Sequence, residues 1–103
     1  MIHCYVPDIF FKTKLTTILD IKKKPYKLYP YLDELLNSAF PTSFIIVDIE
    51  QVPDLHKLAK FSNVYGFCSH TKTDLILKAK GFGIHVYPKS VFFKEISKLI
   101  EVA

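Results

Sequence analysis

The chain predicts an α/β domain built on a parallel sheet, and three observations carry that prediction. Short apolar runs recur five times, each followed by a segment whose apolar residues have helical spacing. One run, Ser43-Phe44-Ile45-Ile46-Val47-Asp48, is apolar to its end and stops abruptly at a carboxylate. A strand buried on both faces reads this way, whereas a half-exposed strand alternates. The connections are short, with no linker, internal repeat or low-complexity segment. Alternating strands and helices imply parallel strands, right-handed crossovers and helices on both faces of the sheet.

Each element has its own signal. Ile2 to Val6 is an apolar run and the first strand. Asp8 opens a helix to about Asp20, with Phe11, Leu15, Ile18 and Leu19 on one face. Tyr26 to Tyr29 is a weaker second strand that Pro30 ends, and Tyr31 to Ala39 repeats the helical pattern through Leu32, Leu35 and Leu36. Phe44 to Val47 is the third strand. Pro53 suits the first turn of a helix carrying Leu55, Leu58 and Ala59, because a missing N–H costs nothing there. Val64 to Cys68 is the fourth strand. Thr71 and Asp74 have capping-box spacing for a helix to Lys80, with Asp74 and Lys78 as a surface pair and Gly81 as the stop. Ile84 to Tyr87 is the fifth strand, and Ser90 caps a last helix striped by Phe92, Ile96 and Leu99. The expected architecture is a strand–helix unit repeated five times.

Composition narrows the class. At 103 residues the chain is one domain, 1–103, large enough for a single core. Half of it is hydrophobic, which argues against disorder. The first residues lack the basic flank and long apolar region of a signal peptide. No run approaches the ~18 apolar residues of a membrane span. Cys4 and Cys68 both lie in strand-like apolar runs, where cysteine behaves as a small buried hydrophobe. A cytoplasmic protein without disulfides and without a membrane partner follows.

The net charge is +4, yet all 14 basic residues are lysine. Arginine, the usual bidentate reader of guanine and phosphate, is missing. Lys22-Lys23-Lys24 precedes Pro25 and reads as a solvated loop between helix and strand, so a lysine-based nucleic-acid module is the weaker alternative.

In a parallel sheet the C-terminal strand ends share one edge, where the chemistry of open α/β folds sits. Asp8 follows strand one, Asp48 strand three, Ser69-His70 strand four and Lys89 strand five. Two acids with a hydroxyl and a lysine suit phosphoryl transfer. One carboxylate attacks phosphorus, a second helps hold Mg²⁺, and the hydroxyl and ammonium take phosphate oxygens. Asp48-Ile49-Glu50 is also an acid-x-acid pair of a kind that binds Mg²⁺, although Asp8 is the lone further acid. His70 beside Cys68 lacks any zinc-motif spacing. His3 and His85 read as core histidines with partners, and His56 as a solvent-facing one. Gly81-Phe82-Gly83 precedes strand five and lacks the Gly-rich strand-to-helix turn of nucleotide sites. No motif marks an independent enzyme.

The most specific run is Lys78-Ala79-Lys80-Gly81-Phe82-Gly83-Ile84-His85-Val86-Tyr87-Pro88-Lys89-Ser90. With the five repeats and the strand-end acids, it resembles a bacterial response-regulator receiver domain, and the resemblance covers essentially the whole chain. It implies a flavodoxin-like three-layer α/β/α sandwich with strand order 2-1-3-4-5. In that order strands one and four flank strand three, so Cys4 and Cys68 do not pair. Asp48 matches the phospho-accepting aspartate, Asp8 one of the paired acids that hold Mg²⁺, and Ser69 the hydroxyl that senses the phosphoryl group. The chain departs from the family in two places. Pro7 stands where the second of the paired acids belongs, and the Lys-Pro corner is inverted to Pro88-Lys89. A one-residue shift at a strand end turns a side chain to the other face. The strand-five aromatic that reports activation falls at His85 or Tyr87, and receivers tend to use a cis X-Pro bond at the corner held here by Tyr87-Pro88.

These expectations describe a stand-alone receiver-like domain with a degenerate phosphorylation site, needing no cofactor and acting by protein–protein contact in two-component signalling. Its partner would be a histidine kinase or an effector protein, met through Tyr87, Lys89, Phe92 and Phe93; a homodimer stays open. The first alternative is a working phosphoacceptor, with Asp8 and Asp48 on Mg²⁺ and Ser69 and Lys89 on the phosphoryl group. Each residue also has a plainer role: Asp48 shaping a turn, Asp8 capping a helix, Ser69 in a loop and Lys89 on the surface.

Overall fold

The computed structural model describes all residues, 1–103. Five strands, β1 (Ile2–Tyr5), β2 (Tyr26–Leu28), β3 (Phe44–Asp48), β4 (Asn63–Cys68) and β5 (His85–Pro88), form one sheet in the order β2-β1-β3-β4-β5. Every neighbouring pair is parallel. Four helices, α1 (Ile9–Ile21), α2 (Leu32–Ser38), α3 (Thr73–Gly81) and α4 (Lys89–Leu99), cover its two faces. The fold is the flavodoxin-like α/β sandwich that the strand pattern predicts.

The two faces carry separate cores. On one, Leu15 and Leu19 of α1 and Phe92 and Ile96 of α4 pack with Ile2, Cys4, Phe44, Ile46 and Phe67 of the strands. On the other, Leu32 and Leu35 of α2 and Ala79 of α3 pack with Ile45, Val47, Val64, Cys68 and Val86. All five residues of β3 are buried, because its neighbours on both sides and both layers exclude water from it. Burying one such aliphatic side chain stabilises by roughly 1.5–3 kcal/mol relative to leaving it exposed. β3 is the strand that the two cores share.

The expected fifth helix, between β3 and β4, is not formed. Two short 3₁₀ turns, Ile49–Gln51 and Leu55–Leu58, replace it. Val52, before Pro53, is extended (φ −104°, ψ 108°), as the proline ring requires, and this cuts the segment in two. Asp54, rather than Pro53, then starts the second turn by accepting the His56 N–H at 3.0 Å. Such an i to i+2 closure is tighter than an α-helical cap and favours a 3₁₀ turn.

Smaller differences have local causes. The Thr71–Asp74 capping box is absent, since Thr71 bonds Ser69 and α3 starts at Thr73 without a side-chain cap. α3 runs through Gly81, and the left-handed residue after it is Gly83 (φ 79°). α4 begins at Lys89, directly after Pro88, so Ser90 lies inside the helix and caps nothing. The ion pairs are Lys89–Glu50 and Lys98–Glu95, leaving Asp74 and Lys78 unpaired. The Tyr87–Pro88 bond is trans. Cys4 and Cys68 face opposite cores and are free. His3 bonds the Tyr29 hydroxyl at 2.8 Å, as a histidine with a partner. His85 is exposed instead of buried, on the sheet's edge strand, and stacks on Tyr65 at 4.7 Å.

The short crossover presses Ile49 onto β4. A Cβ added at Gly66 would lie 2.5 Å from both Cδ1 and Cγ1 of Ile49, which is fully buried. Gly66→Ala is therefore expected to destabilise the fold by about 1–3 kcal/mol in urea unfolding. Adding Ile49→Val, which removes the Cδ1 methyl, should recover part of that loss. Additive losses in the double variant would show that this contact is not the cause.

Candidate functional site

The C-terminal strand ends bring Asp8, Asp48, Glu50, Ser69 and Lys89 to one edge, as the topology demands. Asp8 follows β1 and its Oδ1 accepts the Phe11 N–H at 3.1 Å, capping α1. Asp48 ends β3 and is only 3% exposed. Its Oδ1 accepts the Glu50 N–H at 3.2 Å, which turns the chain sharply into the first 3₁₀ turn. The plainer roles of both aspartates are thus realised.

That turn carries Glu50 back over the sheet edge. Its Oε2 accepts the Ser69 backbone N–H at 3.0 Å and pairs with Lys89 Nζ at 3.4 Å. One carboxylate oxygen thereby joins the ends of β3, β4 and β5. Lys89 Nζ also lies 4.7 Å from the centre of the Phe11 ring, so its charge is held from α1 as well. The Ser69 hydroxyl points elsewhere, to the Thr71 hydroxyl at 2.9 Å. Lys89 reaches the cluster despite the inverted corner, but its ion-pair partner is Glu50 and not Asp48.

Burial pushes the Asp48 carboxyl above the ordinary Asp range, and the charges of Glu50 and Asp8 add to the rise. The Glu50 N–H and the Lys89 ammonium oppose it without cancelling it. Cys68 is fully buried in the core beside the cluster, and this burial likewise raises its thiol, helped by the charges of Glu50 and Asp48. No three His, Cys, Asp or Glu groups in the chain come together in a metal-ligating arrangement. Mg²⁺ often takes one or two carboxylates and keeps several waters. Asp8 and Asp48 fit that use only through the oxygens their caps leave free.

The expected partner face is partly overturned. Phe92 is fully buried, because it and Ile96 form the stripe of α4 that faces the sheet. It contacts Phe67 at 5.0 Å and is closed to any partner. Tyr87 is half-buried against it. Phe93 is also half-buried, stacked on Phe11 at 5.6 Å. Large apolar side chains that stay in solvent near this edge include Ile9 and Phe10 in the first turn of α1 and Val91 in the first turn of α4. A cleft of about 560 Å³ lies at the opposite edge, among Met1, Phe40, Phe44 and Tyr65.

Glu50 was visible in the sequence as half of an acid-x-acid pair, but its part in joining three strand ends was not. That role depends on the 3₁₀ turn, which periodicity does not reveal. No protein-family model, curated protein or solved structure matches the chain. No helix is long and apolar enough to cross a membrane.

Two outcomes follow from this geometry. Asp48→Asn keeps the oxygen that caps the turn and removes a charge the buried site disfavours. Its sign is set by the raised carboxyl: that cost is present above the unfolded Asp value of 3.8 and absent below it. Asp48→Asn should therefore be more stable than the parent in neutral urea titrations, with the advantage shrinking as the pH falls from the raised Asp48 value toward 3.8. For the bridge itself, Lys89→Met should cost under about 1 kcal/mol, since the lysine side chain is a third exposed and its ion pair is screened by solvent. Glu50→Ala should cost more, about 1–3 kcal/mol, because it also strips the Ser69 N–H of its acceptor. Equal losses, read by urea unfolding, would mean that the backbone hydrogen bond contributes little.

Proposed function

We propose that this chain is a stand-alone receiver-like signalling domain with a degenerate phosphorylation site, acting by protein–protein contact in a two-component-type pathway. The observation that carries this reading is the position of the Glu50 carboxylate. It takes the Ser69 N–H and the Lys89 ammonium at 3.0 and 3.4 Å. A backbone N–H and a lysine at a strand-end edge are the donors a transferred phosphoryl group would use. With a carboxylate already on them, the edge has an anionic occupant supplied by its own chain.

Three further features favour the same reading. Asp48 is 3% exposed, which restricts approach to its carboxylate by a phosphoryl donor. Pro7 replaces the second acid that the resemblance calls for after β1. The Ser69 hydroxyl is turned toward Thr71, away from Glu50. On this reading the partner is a histidine kinase or an effector protein, and the domain presents one constant surface rather than two switched ones.

The phosphoacceptor alternative requires Glu50 to leave its donors and Asp8 and Asp48 to share Mg²⁺. The two readings separate by intact mass after incubation with acetyl phosphate, with and without Mg²⁺. The parent chain, Asp48→Asn and Glu50→Ala would be run beside a known phosphoacceptor. No adduct on the parent chain is expected. An adduct on the parent that needs Mg²⁺ and is lost in Asp48→Asn would end the constitutive reading. An adduct that appears only in Glu50→Ala would strengthen it, by identifying the group that blocks the site.

A further inference from the structure

The edge strand β2 is held by few contacts, and a residue that secures its end can take a proton. β2 is three residues long and has one neighbour, β1. Just past it, the Tyr29 N–H donates to the Cys4 carbonyl at 2.9 Å and keeps the chain on the sheet. The Tyr29 side chain is buried in the core that α2 covers. Its hydroxyl meets His3 Nδ1 at 2.8 Å, with the two rings 5.8 Å apart and 21° from parallel. That hydroxyl makes no other hydrogen bond. A buried hydroxyl proton needs an acceptor, so Tyr29 donates, His3 Nδ1 accepts, and the ring proton of His3 sits on Nε2.

The surroundings of His3 oppose a second ring proton. In the sheet register His3 stands directly opposite Lys27 on β2 and the apolar Ile45 on β3. Like charges directly opposite one another across a strand pair are destabilising. Lys27 Nζ also lies 5.1 Å from the centre of the Tyr29 ring, which keeps the ammonium near the hydrogen-bonded pair. α2, which packs against β1, carries Asp33 and Glu34, and both are exposed to solvent. The cleft that His3 borders adds Tyr65 and the Ala103 end, whose oxygen takes Lys24 Nζ at 3.3 Å. Neither ion pair of the chain involves His3. Partial burial, then the Met1 amino group and Lys27, hold the His3 ring below the ordinary histidine value of 6.5.

We propose that His3, Tyr29 and Lys27 form a proton-operated latch, which holds β2 and the start of α2 on the sheet at neutral pH and loosens them in mild acid. A proton added at His3 Nδ1 takes the acceptor away from the Tyr29 hydroxyl. The hydroxyl proton is then unpaired at the edge of the core, and an imidazolium stands opposite Lys27. The stability that the latch contributes is complete well above 6.5, where His3 is neutral in the folded and unfolded chain alike. It is lost as the pH falls from 6.5 toward the lower folded value, because the unfolded chain takes the proton first. The loss falls on β2 and not on the whole sheet, since β3 has a neighbour on each side and is buried on both faces. Loosening β2 bares the edge of β1 to which it was bonded.

The test follows the full chain by NMR from about pH 7.5 to about pH 5. Imidazole nitrogen-15 shifts read the titration of His3. Amide exchange, corrected for its intrinsic pH dependence, reads the opening of residues 26–29. His3 should titrate below 6.5, and protection at residues 26–29 should fall about threefold or more while β3 and β4 keep theirs. His3→Gln takes no proton and should abolish that fall. Lys27→Glu is an exposed substitution that keeps the test open if His3→Gln does not fold. It should raise the His3 titration above that of the parent and leave His56, His70 and His85, which lie on other elements, where they were. The proposal is overturned if His3 titrates at or above 6.5, or if Lys27→Glu leaves its titration unmoved. It is also overturned by an acid loss at residues 26–29 that persists in His3→Gln, by one shared equally with β3 and β4, or by no loss at all.

Discussion

Burial of β3 on both faces is the constraint from which the rest of the structure follows. A strand with no wet side must have a neighbour on each edge and a layer over each face, and β1, β4 and two separate cores supply these. The same burial carries Asp48 to the rim of the sheet with almost no solvent around it. A carboxylate held there needs local hydrogen bonds, and the nearest donor is the Glu50 N–H two residues on. Accepting it bends the chain at once into a 3₁₀ turn, and that bend returns Glu50 to the edge. Core packing and strand-end chemistry are thus consecutive results of one buried strand.

The Glu50 bridge is modest as a source of stability and informative as a source of order. Its lysine is partly solvated, so the ion pair alone contributes little. The Ser69 N–H is different, because a backbone donor at a half-buried strand end needs an acceptor. One oxygen serving both donors fixes three strand ends relative to one another, with Phe11 supporting the lysine from below. An edge fixed in this way is suited to presenting one surface consistently.

Much of this fold is legible in the residues, and the losses have identifiable causes. The strands are legible because buried parallel strands leave continuous apolar runs, with Phe44 to Val47 the clearest. α1 is legible because Asp8 and the Phe11, Leu15, Ile18, Leu19 stripe agree on its start and its face. The segment after β3 misled because Pro53, Leu55, Leu58 and Ala59 match a helical pattern, while Asp54 imposes a tighter closure. Phe92 and Phe10 show the limit of reading aromatics by type. Phe92 belongs to a stripe and is buried, whereas Phe10 stands beside a stripe residue and is in solvent. Of the strand-end groups, Asp8, Asp48, Ser69 and Lys89 follow from topology alone. Which of them touch does not, because contact depends on rotamers and on a turn that leaves no periodic trace.

The opposite placement of the two cysteines has a practical consequence. Cys4 has no solvent exposure, and its thiol is pushed up to about 12, so at neutral pH it offers almost no thiolate to a reagent. Cys68 is equally shielded from solvent but lies in the other core, near the strand-end carboxylates. The molecule therefore contains one built-in chemical clock on each side of its sheet. Alkylation of Cys4 times the opening of the layer made by α1 and α4, and alkylation of Cys68 times that of the layer holding α3 and the 3₁₀ turns. Comparing the two rates shows whether the halves of the sandwich come apart together or one before the other.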